Sequence, residues 1–105
     1  MYKVTTPTHT FTLPIDADSY AEIQITYKQK KVILVKHYQD GILPEGMSLD
    51  GKDVIIHFTQ EETKQFTAGT DVEAQVRVLT EGGDVYASQG FQVSVLPVLN
   101  EEILG

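Results

Sequence analysis

Val72-Glu73-Ala74-Gln75-Val76-Arg77-Val78-Leu79 is the longest regular stretch of the chain. In an extended strand successive side chains point to opposite faces, so Val72, Ala74, Val76 and Val78 share one face and Glu73, Gln75, Arg77 and Leu79 the other. An apolar row opposite a wettable row marks an antiparallel strand that packs on one side only. Gly82-Gly83-Asp84 follows as a tight hairpin turn. Val85 to Val95 then returns with Phe91, Val93 and Val95 facing inward, and Gly90 predicts a bulge within it.

Upstream the same period recurs. Ala21, Ile23, Ile25 and Tyr27 alternate with Glu22, Gln24, Thr26 and Lys28, a strand with one solvated face. After the polar turn Gln29-Lys30, the nearly continuous run Lys31-Val32-Ile33-Leu34-Val35-Lys36 reads as the returning hairpin partner, buried more on both faces. Phe11 and Leu13 alternate with Thr10 and Thr12 in a short strand that Pro14 stops. Residues 39–53, rich in Gly and Asp, read as a long loop with a short strand around Met47 to Leu49 before the turn at Asp50-Gly51. Val54, Ile56 and Phe58 belong to a further strand. Thr59-Gln60-Glu61-Glu62 matches a capping box, in which the Thr hydroxyl accepts the Glu62 amide and the Glu carboxylate reaches back to the Thr amide. It predicts one or two helical turns from Thr59 to about Phe66.

Six to seven short strands, turns every 8–12 residues and one helical connector describe an all-β, immunoglobulin-like antiparallel β-sandwich, with a small barrel as the alternative. The 105 residues suit one domain, expected over 1–96, followed by an acidic and partly apolar tail at 97–105. With no Cys there is neither a disulfide, a thiolate metal site nor a thiol nucleophile, and with no Trp the core marker of antibody domains is missing. The N-terminus lacks the apolar core of a signal peptide and no apolar run reaches the ~18 residues of a membrane span, so a soluble, unprocessed chain is expected.

A net charge of −7 argues against partnership with nucleic acid or an anionic membrane. The charge is uneven, and Lys28, Lys30, Lys31 and Lys36 predict a basic patch guarding a sheet edge. His9, His37 and His57 fall on different predicted elements with no paired spacing, which predicts ordinary half-buried side chains and no metal site. Asp40, Glu45, Asp50 and Asp53 crowd one Gly-rich loop without EF-hand spacing and read as turn residues. No Ser lies in a nucleophile elbow and no Gly-rich phosphate cradle is present, so neither an enzyme nor a cofactor is expected. Tyr27 continues an inward row. Tyr20, Tyr38 and Tyr86 are the expected exposed aromatics, available to a partner or to a sugar. Arg77 is expected to pair across strands.

Four segments together carry a resemblance: 6–14 (TPTHTFTLP), 26–29 (TYKQ), 59–66 (TQEETKQF), and 72–80 (VEAQVRVLT) followed by Ala87-Ser88. They resemble small proteins encoded among the tail and baseplate genes of phages and prophages of Gram-positive (Firmicutes) bacteria. More loosely, the order of elements is similar to the N-terminal immunoglobulin-like domain of siphophage baseplate upper proteins. The resemblance implies a non-enzymatic structural or accessory protein whose partners are phage tail or baseplate proteins or a second copy of itself. A carbohydrate- or cell-surface-binding module of the adhesion apparatus is the alternative. The final strand, Ser88 to Leu96, carries no charge, so it is expected to be central or to be covered by another subunit. With Phe91 and the apolar pairs Val98-Leu99 and Ile103-Leu104 of the tail, it forms the expected contact surface.

Overall fold

The computed structural model describes residues 1–105. Its strands are β1 (Thr8–Thr12), β2 (Glu22–Gln29), β3 (Val32–Gln39), β4 (Met47–Asp50), β5 (Asp53–His57), β6 (Val72–Leu79), β7 (Val85–Ala87) and β8 (Phe91–Val93). A 3-10 turn lies at Ala17–Ser19 and one helix, α1, at Gln60–Lys64. The strands form two antiparallel sheets, one ordered β1-β5-β4 and the other β3-β2-β6-β7, with β8 also pairing β6. The expected all-β sandwich is the fold. The strands number eight because the single return strand expected over 85–95 is broken into β7 and β8.

Gly90 is where that break occurs. Arg77 pairs with Ala87 and Ala74 with Phe91, so three residues of the return strand, Ser88, Gln89 and Gly90, face two on β6. Ser88 N–H donates to the Val76 carbonyl (2.8 Å), and the Ser88 hydroxyl accepts the Val76 N–H (3.0 Å), so the bulge leaves no orphaned amide there. A Cβ at Gly90 would sit 3.2 Å from the Glu73 side chain, which favours glycine at the crowded point. The extra residue resets the alternation. Tyr86, opposite Val78, and Phe91, opposite Ala74, therefore project from the same inward face.

Ile23, Ile25 and Tyr27 of β2 meet Val54 and Ile56 of β5 and Val72, Ala74, Val76 and Val78 of β6 in one core, closed by Phe58 and Phe66. Tyr27 and Phe58 pack edge to face with ring centroids 4.9 Å apart. The capping box forms as expected: Glu62 N–H donates to Thr59 Oγ1 (3.1 Å) and Thr59 N–H to Glu62 Oε1 (2.9 Å). α1 also clamps the N-terminal segment, since Thr5 N–H donates to Thr63 Oγ1 (3.0 Å) and that hydroxyl donates to the Thr5 carbonyl (2.9 Å).

Three expectations are corrected, and the tail takes a defined course. The β2–β3 hairpin turns at Lys30-Lys31, with Gln29 opposite Val32 and Lys30 at a left-handed φ of 52°. β3 is an edge strand with solvent on its outer side, so Ile33 and Val35 are exposed and not buried on both faces. Lys36 is buried and leaves the basic patch, which consists of Lys28, Lys30 and Lys31. The 97–105 segment, without regular structure, lies back on its own domain: Lys3 pairs with Glu101 (2.9 Å), and Gln60 exchanges two hydrogen bonds with the backbone of Leu104 (2.7 and 2.9 Å).

Candidate functional site

In an immunoglobulin-like sandwich one sheet is ordered A-B-E-D and the other G-F-C, with C′ added beside C in variable-type domains. Here β1, β5 and β4 stand at B, E and D, and β7/β8, β6, β2 and β3 stand at G, F, C and C′. The A position beside β1 is only half filled. Tyr2 bridges Leu96 in parallel, with Lys3 N–H donating to the Leu96 carbonyl (3.0 Å) and Leu96 N–H to the Met1 carbonyl (2.8 Å). That contact closes the seam between the sheets at one end, and no strand follows it along β1.

At the other end the seam opens into an apolar groove of about 800 Å³. Phe11, Leu13 and Ile15 form the wall on the β1 side, and Val76, Val78, Tyr86 and Phe91 the floor and far wall. Phe11 and Phe91 approach across it with ring centroids 6.0 Å apart. None of the 14 lining residues is acidic or basic; the polar groups are the hydroxyls of Thr10, Thr12, Thr80, Ser88, Tyr20 and Tyr86. An apolar concavity with a few hydroxyls is suited to holding an apolar segment and offers no general acid or base.

The β1 edge of the groove carries unpaired backbone groups. Phe58 N–H donates to the Pro7 carbonyl and Leu13 N–H to the Lys52 carbonyl. In an antiparallel ladder alternate residues turn their N–H and C=O toward the partner, so His9 and Phe11 face β5 while Thr8, Thr10 and Thr12 turn theirs outward.

The expected contact residues divide. Tyr86 and Phe91 are 60% and 46% exposed and stand together in the groove. Tyr20 and Tyr38, expected to be exposed, are only 6% and 8% exposed. Tyr38 continues the inward row of β3 after Lys36, opposite Ile23, and Tyr20 is carried against the core by the 3-10 turn, so that it only lines the groove. A platform of three exposed tyrosines is therefore not formed. Leu99 and Leu104 point to solvent, Val98 and Ile103 are half-buried, and none of the four lines the groove. Phe11, Leu13 and Val78, which sequence reasoning assigned only to strand interiors, turn out to form its walls. Their apolar character was visible; which sheet lacked a covering strand was not.

The ionisable groups elsewhere act as struts. Lys36 Nζ donates to Glu62 Oε2 (2.6 Å) and to the Glu45 carbonyl (2.8 Å), tying β3, the 39–46 loop and the α1 cap together. Burial alone would raise the Glu62 carboxyl pKa; hydrogen bonds from Lys36 and Thr59 and the Lys36 charge outweigh it and hold the group below its ordinary value. His9 Nδ1 lies 3.1 Å from Tyr27 Oη, with the Phe58 ring against it. Burial, and then the nearby N-terminal ammonium, depress the His9 pKa, and burial raises that of Tyr27. His37 hydrogen-bonds Glu22 (2.7 Å), and His57 the Thr8 hydroxyl (3.0 Å). The three histidines do not converge, and no three His, Asp or Glu gather at metal-binding distance. Arg77 lies opposite Gln24 and Ala87 and forms no ion pair.

No protein-family model matches the chain, and no curated protein matches its sequence. No helix is long and apolar enough to cross a membrane.

Proposed function

We propose that the protein works by holding another protein, as a structural or accessory component of the tail and baseplate region of a Gram-positive phage or prophage, without catalysing a reaction. The observation that carries the protein-binding part is the groove beside β1, an apolar surface on the unfinished side of a sandwich. Leaving such a surface in water forfeits about 25 cal/mol for each Å² that a partner would cover. The phage assignment is supported by the segments at 6–14, 26–29, 59–66 and 72–80 that resemble tail and baseplate gene products. A carbohydrate-binding role draws less support, because sugar sites combine an aromatic face with polar hydrogen-bonding side chains, and the groove pairs Tyr86 and Phe91 with aliphatic walls.

Mass spectrometry of purified particles from an induced lysogen carrying the gene tests the assignment. Peptides of this chain at a fixed ratio to the baseplate proteins are expected. Their absence from particles, with the protein abundant in the lysate, refutes a virion role. Absence of any co-purifying tail or baseplate protein refutes the accessory role as well.

A further inference from the structure

We infer that the groove takes an extended strand from a partner protein, added beside β1 at the unfilled A position, with apolar side chains alternating into the groove and a basic residue at the end that lies by Asp16, Asp18, Glu81 and Asp84. The inference rests on the reading that the protein acts through protein contacts, and it names the kind of contact.

Two features in the same place specify a strand over other apolar occupants. Thr10 and Thr12 turn backbone donors and acceptors toward the mouth of the groove, and the groove is apolar on the inward side of that edge. A strand pairing there would satisfy those groups and, by its period of two, send every second side chain between Phe11 and Leu13 on one side and Tyr86 and Phe91 on the other. A segment of about five residues spans the open length, and its two or three inward side chains would complete the layer facing β7 and β8.

Charge sets the flanks. The lining is neutral, but Asp16 and Asp18 flank its Ile15 and Tyr20 wall, and Glu81 and Asp84 lie in the turn between β6 and β7; Lys52, on the β4–β5 turn, is the basic residue at that end. A segment ending in Lys or Arg is favoured there, and one ending in carboxylates is repelled. This disfavours the chain's own tail, in which Glu101 and Glu102 precede Ile103 and which is already tied down through Glu101 and Leu104.

The test is an NMR titration of the full chain with the synthetic octapeptide KTVTLTVK, an acid-flanked version, ETVTLTVE, and a version whose apolar residues are adjacent instead of alternating. With KTVTLTVK the Thr10 and Thr12 amides are expected to shift and gain protection from hydrogen exchange while the Tyr86 and Phe91 rings shift. The acid-flanked peptide should bind at least about fivefold more weakly, and more weakly still relative to the first as salt is lowered. Thr10→Pro deletes the outward donor without touching the β5 ladder and should abolish binding. Tyr86→Glu places a charge in the groove at an exposed position and should weaken binding by at least about tenfold, whether or not Thr10→Pro folds. Unmoved Thr10 and Thr12 amides at millimolar KTVTLTVK overturn the inference. So do ring shifts without amide protection, which indicate a small apolar ligand, and protection of the same amides in concentrated protein alone, which indicates a second copy. Particle composition does not enter this readout, so a failed phage assignment and a failed strand site give different results.

Discussion

Replacing Lys36 by Met tests how the two sheets are tied at the α1 corner. The ammonium is 8% exposed and holds two acceptors, Glu62 Oε2 and the Glu45 carbonyl. Met fills a similar volume, so the perturbation is mainly electrostatic. It leaves the Glu62 carboxylate with the Thr59 amide as its remaining partner and strips the Glu45 carbonyl of its donor. Breaking a fully buried pair costs about 3–5 kcal/mol, and because the Glu62 side chain is 16% exposed, water recovers part of that, giving about 2–3 kcal/mol. The loss should appear in urea denaturation as a lower midpoint at unchanged slope, and as a fall in Tm of roughly 10–15 °C. Adding Glu62→Gln to Lys36→Met removes the stranded charge and should restore about 1 kcal/mol or more. The pH dependence has a defined sign. Glu62 titrates below its ordinary value in the folded protein, so the unfolded state binds the proton more readily. The pair's contribution is therefore complete above the unfolded carboxyl pKa and is lost as pH falls through the lower folded value. The gap between wild type and Lys36→Met should thus be widest near neutrality and shrink in acid. A single variant within about 0.5 kcal/mol of wild type at pH 7, or a gap that grows in acid, refutes the reasoning.

Thr59→Ala removes the acceptor of the Glu62 N–H and should cost on the order of 1 kcal/mol, measured by the same urea titration. Gly46→Ala should cost more, above about 2 kcal/mol, since φ is +78° and a Cβ there would lie 2.5 Å from the His57 carbonyl oxygen; its melting curve beside that of the open Gly51→Ala checks this. His9 has a depressed pKa, so the unfolded chain protonates first and the stability contributed by the neutral ring, complete above pH 6.5, is lost as pH falls toward the folded value. His9→Gln should flatten that part of the stability profile, measured by urea denaturation at each pH; a dependence of stability on pH between 7 and 5 that the substitution leaves unchanged counts against the assignment.

The elements written in local sequence were the legible ones. Period-two alternation located β1, β2, β5 and β6, the Thr59-to-Glu62 spacing located the α1 cap, and Gly90 located the bulge, because each depends on residues within one strand or one turn. Burial that depends on distant partners was not legible. Lys36 looked like one more lysine of a basic hairpin because its acceptors are Glu62, 26 residues away, and a loop carbonyl. Tyr38 looked exposed because the hairpin's inward phase could be fixed only once β2 was known to lie between β3 and β6. The groove was least visible. It arises from a mismatch between a sheet of three strands and the one facing it, and strand choice between sheets leaves no mark at any single residue.

The placement of β2 between β3 and β6 also fixes an order of events as the chain leaves the ribosome. β2 and β3 are joined by a two-residue turn and can pair within microseconds. The other edge of β2 must wait for β6, roughly 50 residues later, which at 5–20 residues per second is several seconds of synthesis. During that interval Ile23, Ile25 and Tyr27 have neither the β6 neighbour nor the opposing β5 layer in place. Lys28, Lys30 and Lys31 cluster at the end of the nascent hairpin, where like charges discourage two such hairpins from joining on the polysome. The like charge of these three exposed lysines is thus in place from the moment the hairpin forms, well before the sandwich closes.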